Sequence, residues 1–318
     1  MYDIKHARRS VGIVLLAVAL IFLLTMLLQT VMVTAIDLFA PHLMEDTVFL
    51  NVAGSLVMYA IAMPLTLLVF LRARPVLRPE KRRMTFADWI FTFSLCFSVS
   101  ILFSVVGNVI NTLFKTLLGQ PPVNDLEAMT AAFPFWVNLL LLAVLAPIFE
   151  ELFLRKLVID RLLPYGELPA VLISGIAFGL VHGNFSQLFY AVGGGIIFGM
   201  VYVKTGKIRI NIALHALLNF IGGVYTSLMQ KALEGNALGG ILKNLDPVFV
   251  GTLMSLVYYV ILIATFSLAF AFILNSALQH RRLNLKKSCF TPWQWTRIIL
   301  FNLPVWLFAA VVALMFVM

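Results

Sequence analysis

The chain contains 318 residues, of which 62% are hydrophobic and 12% are charged, and its mean hydropathy is +1.00. These values exclude an ordinary soluble domain and indicate an integral membrane protein. The formal net charge is +9, but the basic residues are divided among five loops and do not form one patch, so we expect no nucleic-acid partner.

Apolar runs recur along the whole chain, and each is long enough to cross about 30 Å of hydrocarbon as a helix. We therefore predict an all-α polytopic bundle of about nine transmembrane helices. The predicted spans are 11–36, 50–71, 89–114, 134–154, 168–186, 187–203, 208–230, 249–275 and 296–317. The fifth and sixth spans meet near Ser186, where the connecting loop is almost absent.

The charges between the spans predict the orientation of the chain, because cytoplasmic loops are rich in Lys and Arg. Basic residues precede the first span and follow every second span after it, whereas most of the acidic loop residues lie in the other connections. This alternation predicts a cytoplasmic N-terminus. The basic residues are Lys5, Arg8, Arg9, Arg72, Arg74, Arg78, Lys81, Arg82, Arg83, Arg155, Lys156, Arg161, Lys204, Lys207, Arg209, Arg281, Arg282, Lys286, Lys287 and Arg297. Because no small-residue cleavage pattern follows Arg8 and Arg9, we expect the first span to be retained as an anchor.

A loop at residues 119–122 contains Gly and Pro and separates the first three spans from the rest. It divides the chain into N-terminal helices (1–125), a functional core (126–230) and C-terminal helices (231–318). Cys96 lies in a predicted span and Cys289 in a basic loop, so no disulfide framework or thiolate metal cluster is indicated.

Two adjacent carboxylates, Glu150 and Glu151, end the apolar run of the fourth span. A charged group at the bilayer centre costs about 2.5–3.5 kcal/mol, so such residues are functional candidates. Neighbouring residues on a helix point about 100° apart, and Arg155 shares the face of Glu151. We expect Arg155 to neutralise Glu151, which leaves Glu150 as a candidate general base. The alternative is a carboxylate at a helix end that extends to the interface.

Two further apolar segments carry histidines with a partner four residues away. Phe178 precedes His182, and Asn219 follows His215. A single histidine on an apolar helix also fits a satisfied packing residue, and a His and Asn pair also fits an interhelical hydrogen bond. Both alternatives remain open on these residues alone.

The positions of these polar residues along their helices suggest that their side chains lie at a similar depth in the membrane and can meet. Glu150 lies about 13 residues, or roughly 20 Å, before a turn expected at residues 164–166, and His182 lies about 14 residues after the start of the next helix near Leu168. His215 and Asn219 lie roughly 10–17 Å into their own helix. We expect all four side chains to line one cavity that opens towards the cytoplasmic half. GxxxG patterns at 175–179 and 195–199 allow the helices to approach closely.

These motifs resemble a known family when taken together and in order. They are Glu150-Glu151-x-x-x-Arg155, Phe178-x-x-x-His182 and His215-x-x-x-Asn219. They resemble the three motifs of the CPBP family, which comprises the type II CAAX prenyl proteases and bacterial relatives that include bacteriocin-immunity proteins. The resemblance covers roughly residues 130–225.

The resemblance implies an intramembrane endopeptidase that hydrolyses a peptide bond in a membrane-associated protein or peptide. It makes Glu150 the base that activates water with help from His182, and it makes His215 and Asn219 the oxyanion donors. Glu151, Arg155 and Phe178 are then supporting residues.

The family is often described as metalloproteases, and Glu150, His182 and His215 are a possible zinc ligand set. The chain has no HExxH sequence, however. We therefore expect a mechanism without a metal.

Two other functions remain open. A proton-coupled transporter would also use buried Glu and His, although no inverted repeat is visible. A non-catalytic immunity or scaffold protein would keep the same fold. The size of the chain and its short loops favour a bacterial plasma membrane.

Overall fold

The computed structural model describes residues 3–121, 125–235, 245–278, 285–286 and 288–317. Every regular element within these ranges is helical and no strand occurs there, which confirms the all-α prediction. Three basic residues used to predict orientation lie outside the described residues, as does the end of the predicted loop at 119–122. They are Arg281, Arg282 and Lys287, and the loop residue is Pro122.

The described residues form eleven helices, numbered here in chain order, with a short 3₁₀ helix at Pro41–Glu45. The helices are α1 (Ile4–Phe39), α2 (Thr47–Phe70), α3 (Phe86–Leu117), α4 (Asp125–Ala132), α5 (Phe135–Tyr165), α6 (Glu167–Leu180), α7 (Phe185–Thr205), α8 (Ile208–Leu233), α9 (Pro247–Leu278), α10 (Pro292–Leu300) and α11 (Leu303–Val317).

All nine predicted spans fall on helices, but not all of these helices are long enough to cross a bilayer. Among the described residues, seven helices are long enough and apolar enough to cross a bilayer. They are α1, α2, α3, α5, α7, α8 and α9. Helices α10 and α11 form an eighth only if they count as one span, because they are bent by 70°. Helix α6 has 14 residues and is therefore about 21 Å long, which is less than the hydrocarbon core.

The predicted span 168–186 ends early because the chain turns after α6. Gly183 has a φ of +67°, a left-handed conformation that does not continue a helix. Asn184 then caps α7, and its Oδ1 accepts the N–H of Gln187 at 2.9 Å. Helices α6 and α7 thus form a hairpin with its turn at residues 181–184. His182 lies on this turn and not inside a helix.

Glycines allow α6 and α7 to pack closely, as the GxxxG patterns predict. A Cβ atom on Gly195 would lie 3.0 Å from the Cα of Gly175, and one on Gly199 would lie 3.1 Å from a methyl carbon of Val171. The prediction of a close helix approach is therefore confirmed. Helix α3 packs on another side of α7, since a Cβ atom on Gly107 would lie 2.5 Å from the carbonyl oxygen of Phe185.

Two long helices continue through a proline. Proline lacks an N–H and clashes with the carbonyl one turn earlier. A wider π-helical segment comes directly before Pro64 in α2 and before Pro147 in α5. Such local adjustments accommodate proline within membrane helices. The π segments of the described residues are Val57–Ala62, Leu139–Leu145, Glu151–Leu157 and Phe220–Tyr225.

The last helix supports the turn between α6 and α7. A Cβ atom on Gly183 would lie 2.9 Å from the Cβ of Met315, and the rings of Phe185 and Phe316 are 4.7 Å apart. At the other end of α11, Asn302 Nδ2 donates to the carbonyl oxygen of Arg8 at 2.8 Å. The C-terminal helices therefore join the start of α1 to the segment that carries His182.

Candidate active site

Helix α5 carries the two adjacent carboxylates, and they lie in different environments. The side chain of Glu151 is 0% exposed, whereas that of Glu150 is 16% exposed and faces a cavity. Glu151 Oε2 lies 3.7 Å from Arg155 Nε, and Arg155 is also 0% exposed. The ion pair expected from the spacing is therefore present and completely buried.

Glu151 also binds two side chains of α8. His215 Nδ1 donates to Glu151 Oε1 at 3.1 Å, and Asn211 Nδ2 lies 3.2 Å from Glu151 Oε2 and 2.8 Å from the carbonyl oxygen of Phe198. Sequence reasoning missed Asn211. The spacing could have identified it as a site residue. Asn211, His215 and Asn219 follow one another at four-residue intervals and therefore share one helix face.

Arg155 is held by an aromatic ring and an ion pair, without a hydrogen bond to its guanidinium within the described part of the chain. Its Cζ lies 4.1 Å from the centre of the Phe178 ring, within the range of a cation–π contact. The same ring meets His182 and His215 edge to face, with centroid distances of 5.0 Å and 5.6 Å. The Phe178 ring therefore contacts the buried guanidinium and both histidine rings, and it helps to position these rings.

His215 lies between the two carboxylates. Its Nδ1 faces Glu151, and its Nε2 lies 3.8 Å from Glu150 Oε2. Since a carboxylate only accepts, Nδ1 carries a hydrogen. Among the described residues Glu150 has no hydrogen bond or ion pair on its own helix, as expected, and it faces His215 of α8.

His182 is fixed by the backbone of the preceding helix. Its Nδ1 lies 2.7 Å from the carbonyl oxygen of Phe178. A carbonyl only accepts, so Nδ1 is the protonated nitrogen of the neutral ring and Nε2 carries the lone pair. His182 can thus accept a proton or a hydrogen bond at Nε2.

Asn219 ends the regular part of α8 and binds α5. Its Nδ2 donates to the carbonyl oxygen of Leu142 at 2.9 Å. An amide NH₂ group has two hydrogens, so the second remains available to a ligand.

The structure brings the four predicted residues to one cavity of about 490 Å³. Glu150, His182, His215 and Asn219 all line it, together with Phe178. Polar groups missed by sequence reasoning also line it; they are Tyr59, Ser100, Ser104, Asn108, Ser186, Gln187, Tyr190 and Tyr258. No local sequence signal marked these residues, because they come from α2, α3, α7 and α9 and meet only in the folded chain.

The π-helical segments named above surround this cavity. Three of them contribute lining residues, namely Tyr59 in α2, Leu142 in α5 and Gly222 in α8. The fourth contains the buried pair of Glu151 and Arg155. Such segments occur frequently at functional sites.

The possible zinc ligand set does not form a compact group. Among the described residues, no group of three or more His, Cys, Asp or Glu side chains is arranged to hold a metal ion. One ring nitrogen of each histidine is bonded, to Glu151 in one case and to a backbone carbonyl in the other; these bonds orient the rings and leave Nε2 as the available nitrogen of each.

Two family models and a known protein resemble parts of this chain. The model of the type II CAAX prenyl endopeptidase Rce1-like family matches residues 132–221. A second model, a domain of unknown function named DUF5671, matches residues 9–149. The chain is 22% identical to the membrane-embedded CAAX protease MroQ of Staphylococcus aureus (strain USA300) over 188 residues, which cover 56% of this chain and 75% of that protein. No solved structure matches.

Proposed function

We propose that this chain, which belongs to the CPBP family through residues 132–221, is an intramembrane endopeptidase in which Glu150 activates water. The substrate is a membrane-associated protein or peptide, and the staphylococcal relative supports a bacterial plasma membrane as the location. The match to the endopeptidase model and the protease relative support an intramembrane protease.

One observation carries this proposal. Glu150 and His215 face each other across 3.8 Å, and His182 and Asn219 line the same cavity. A carboxylate, two imidazoles and an amide therefore surround one space, and the cavity is large enough to admit a peptide segment. This set of groups suits the hydrolysis of an amide.

Glu150 begins the reaction in this mechanism. Its carboxylate accepts a proton from water while the water oxygen attacks the carbonyl carbon of the substrate. His182 Nε2 helps to hold that water, because its Nδ1 is fixed on the Phe178 carbonyl. Glu150 then delivers the proton to the departing amine nitrogen as the carbon–nitrogen bond breaks.

His215 and Asn219 stabilise the oxyanion. In this proposal Glu151 holds the His215 ring through Nδ1, and Nε2 of the same ring, which lies beside Glu150, donates a hydrogen to the oxyanion. Asn219 supplies its second N–H. Each such donor contributes about 2.7–4 kcal/mol in the transition state. Buried Arg155 balances the charge of Glu151.

The substitution Glu150→Gln tests the proposal. It is nearly isosteric, so we expect the protein to insert and fold while hydrolysis is abolished. Membrane fractions of cells that carry wild type or Glu150→Gln are compared by mass spectrometry. Uncut substrate proteins should accumulate only with Glu150→Gln. The matched control is Glu45→Gln, which changes an exposed carboxylate outside the cavity.

Two outcomes would contradict the proposal. An identical peptide profile for wild type and Glu150→Gln would remove Glu150 from the mechanism. Uptake of a solute into proteoliposomes without any proteolysis would favour a transporter. An immunity or scaffold function predicts that protection or binding survives the joint substitution of Glu150, His182, His215 and Asn219.

A further inference from the structure

A second, smaller cavity of about 60 Å³ adjoins the candidate active site. It shares two lining residues with the large cavity, Glu150 and His182. These two side chains therefore separate the small cavity from the large one. A peptide bond held at Glu150 would have its neighbouring side chains close to this opening.

Apart from these two residues, the lining of the small cavity is entirely apolar. It consists of Ile21, Phe22, Met58, Met63, Leu154 and Val181. A buried water typically makes about three hydrogen bonds, and only Glu150 and His182 offer polar atoms here. The chemistry of the wall therefore favours an aliphatic group over water.

The size of the cavity limits what it admits. A cavity of about 150 Å³ lined by Leu, Ile and Phe holds benzene. In proportion, 60 Å³ suits about two or three carbon atoms, so it admits an Ala side chain, which has one carbon, or a Val side chain, which has three. Ile21, Met63 and Leu154 are at most 3% exposed, so packing holds these parts of the wall on the sides away from the cavity.

Four of the six apolar wall residues come from α1 and α2, which lie outside the segment matched by the endopeptidase model. Met58 lies in the π segment Val57–Ala62. Its neighbour Tyr59 lines the large cavity and stacks on Phe149 with ring centroids 5.2 Å apart. This π segment thus places one residue at each cavity.

We propose that the small cavity is a specificity pocket that takes a small aliphatic side chain of the substrate, next to the peptide bond that is cut. This inference rests on the proposed endopeptidase function. It gives α1 and α2 a direct part in substrate selection, because they form most of the wall.

The test measures cleavage preference with the full chain in vesicles of phosphatidylethanolamine and phosphatidylglycerol. The probe is a synthetic peptide library in which each position takes Gly, Ala, Val, Leu and Phe, and mass spectrometry reads the cleaved bonds. Ile21→Ala and Met63→Ala enlarge the pocket. The milder Ile21→Val serves if either variant fails to fold.

Leu23→Ala on α1 and Leu67→Ala on α2 are the matched controls. They make similar truncations on the same two helices, at positions that are 44% and 36% exposed and that line neither cavity.

We expect wild type to prefer Ala or Val at one position beside the cleaved bond. The pocket variants should shift kcat/KM towards Leu or Phe at that position by about tenfold or more. The two controls should keep the wild-type preference. Glu150-dependent cleavage with unchanged preference in both pocket variants would overturn the pocket alone, whereas absence of any Glu150-dependent cleavage would overturn the proposed function as well.

Discussion

Glu150 and Glu151 are adjacent in the sequence, yet one carboxylate faces a cavity and the other is completely buried below it. Glu151 interacts with Arg155, Asn211 and His215, whereas Glu150 makes no hydrogen bond within the described residues. The same residue type thus supplies structure at one position and chemistry, in our proposal, at the next. Substitutions at the two positions should therefore have separable effects.

The substitution Glu151→Gln should reduce stability much more than Glu150→Gln. It leaves the charge of Arg155 buried without its partner, and breaking a buried ion pair costs about 3–5 kcal/mol. Glu150→Gln removes no hydrogen bond among the described residues and should change the free energy of unfolding by less than about 1 kcal/mol. Equilibrium unfolding in detergent micelles measures both values.

A double variant checks the reason for this difference. Glu151→Gln combined with Arg155→Met removes both charges and replaces the guanidinium by an apolar group. Such replacements are often neutral or stabilising, so the double variant should be more stable than Glu151→Gln alone. If it is less stable, the loss does not arise from an unpaired charge on Arg155.

The substitution Gly183→Ala should reduce both stability and hydrolysis. The left-handed φ of +67° costs an alanine about 1–2 kcal/mol, and the new Cβ would lie 2.9 Å from the Cβ of Met315. The turn that carries His182 would then shift. We expect a fall in kcat, since a small displacement of a catalytic group reduces the rate.

Gly119→Ala is the matched control for this prediction. Gly119 has a φ of +70°, and a Cβ there would meet nothing within 4 Å. It should lose similar stability without a change in kcat. Equal losses of kcat in Gly119→Ala and Gly183→Ala would show that the turn at His182 has no specific part.

Metal removal should leave hydrolysis intact. The described residues contain no group of three or more His, Cys, Asp or Glu side chains arranged to hold a metal ion, and the proposed mechanism takes its base and its oxyanion donors from side chains alone. Elemental analysis of purified protein should find less than one zinc per chain. Turnover should persist after dialysis against 1,10-phenanthroline. Stoichiometric zinc, together with loss of Glu150-dependent cleavage on chelation, would contradict this expectation.

Local spacing predicted several contacts of the site correctly. Residues four apart on a helix are neighbours, so Glu151 meets Arg155, and the ring of Phe178 meets the ring of His182 with centroids 5.0 Å apart. Hydropathy also located every apolar helix, since a membrane requires long apolar segments. These features depend only on residues close in sequence.

Features that depend on distant parts of the chain could not be predicted in the same way. Residues 183–184 are a Gly-Asn pair, which is a local turn signal, but the long apolar runs on both sides outweighed it in the span prediction; the φ of Gly183 and its contact with Met315 place the end of α6. The π segments have no apolar period of their own. The small cavity forms where residues of α1 and α2 lie next to Glu150. No local sequence pattern predicts this contact, because the helices are far apart in the chain.

Two adjacent glycines of α7 should respond in opposite ways to substitution by alanine. A Cβ on Gly194 would meet nothing within 4 Å, although Gly194 is buried and lines the large cavity. A Cβ on Gly195 would lie 3.0 Å from the Cα of Gly175 and 3.2 Å from the Phe178 ring. Packing therefore requires a glycine at Gly195 and not at Gly194.

Because alanine is favoured over glycine within a helix by about 0.8–1.0 kcal/mol, Gly194→Ala should keep or raise the free energy of unfolding, whereas Gly195→Ala should lower it. If open space at Gly194 serves the substrate, a larger side chain should block the cavity without unfolding the protein. Gly194→Leu should then retain its fold and lose peptide hydrolysis. Wild-type hydrolysis by folded Gly194→Leu would mean that the substrate does not approach this wall of the cavity, and that glycine occurs there for a reason other than access.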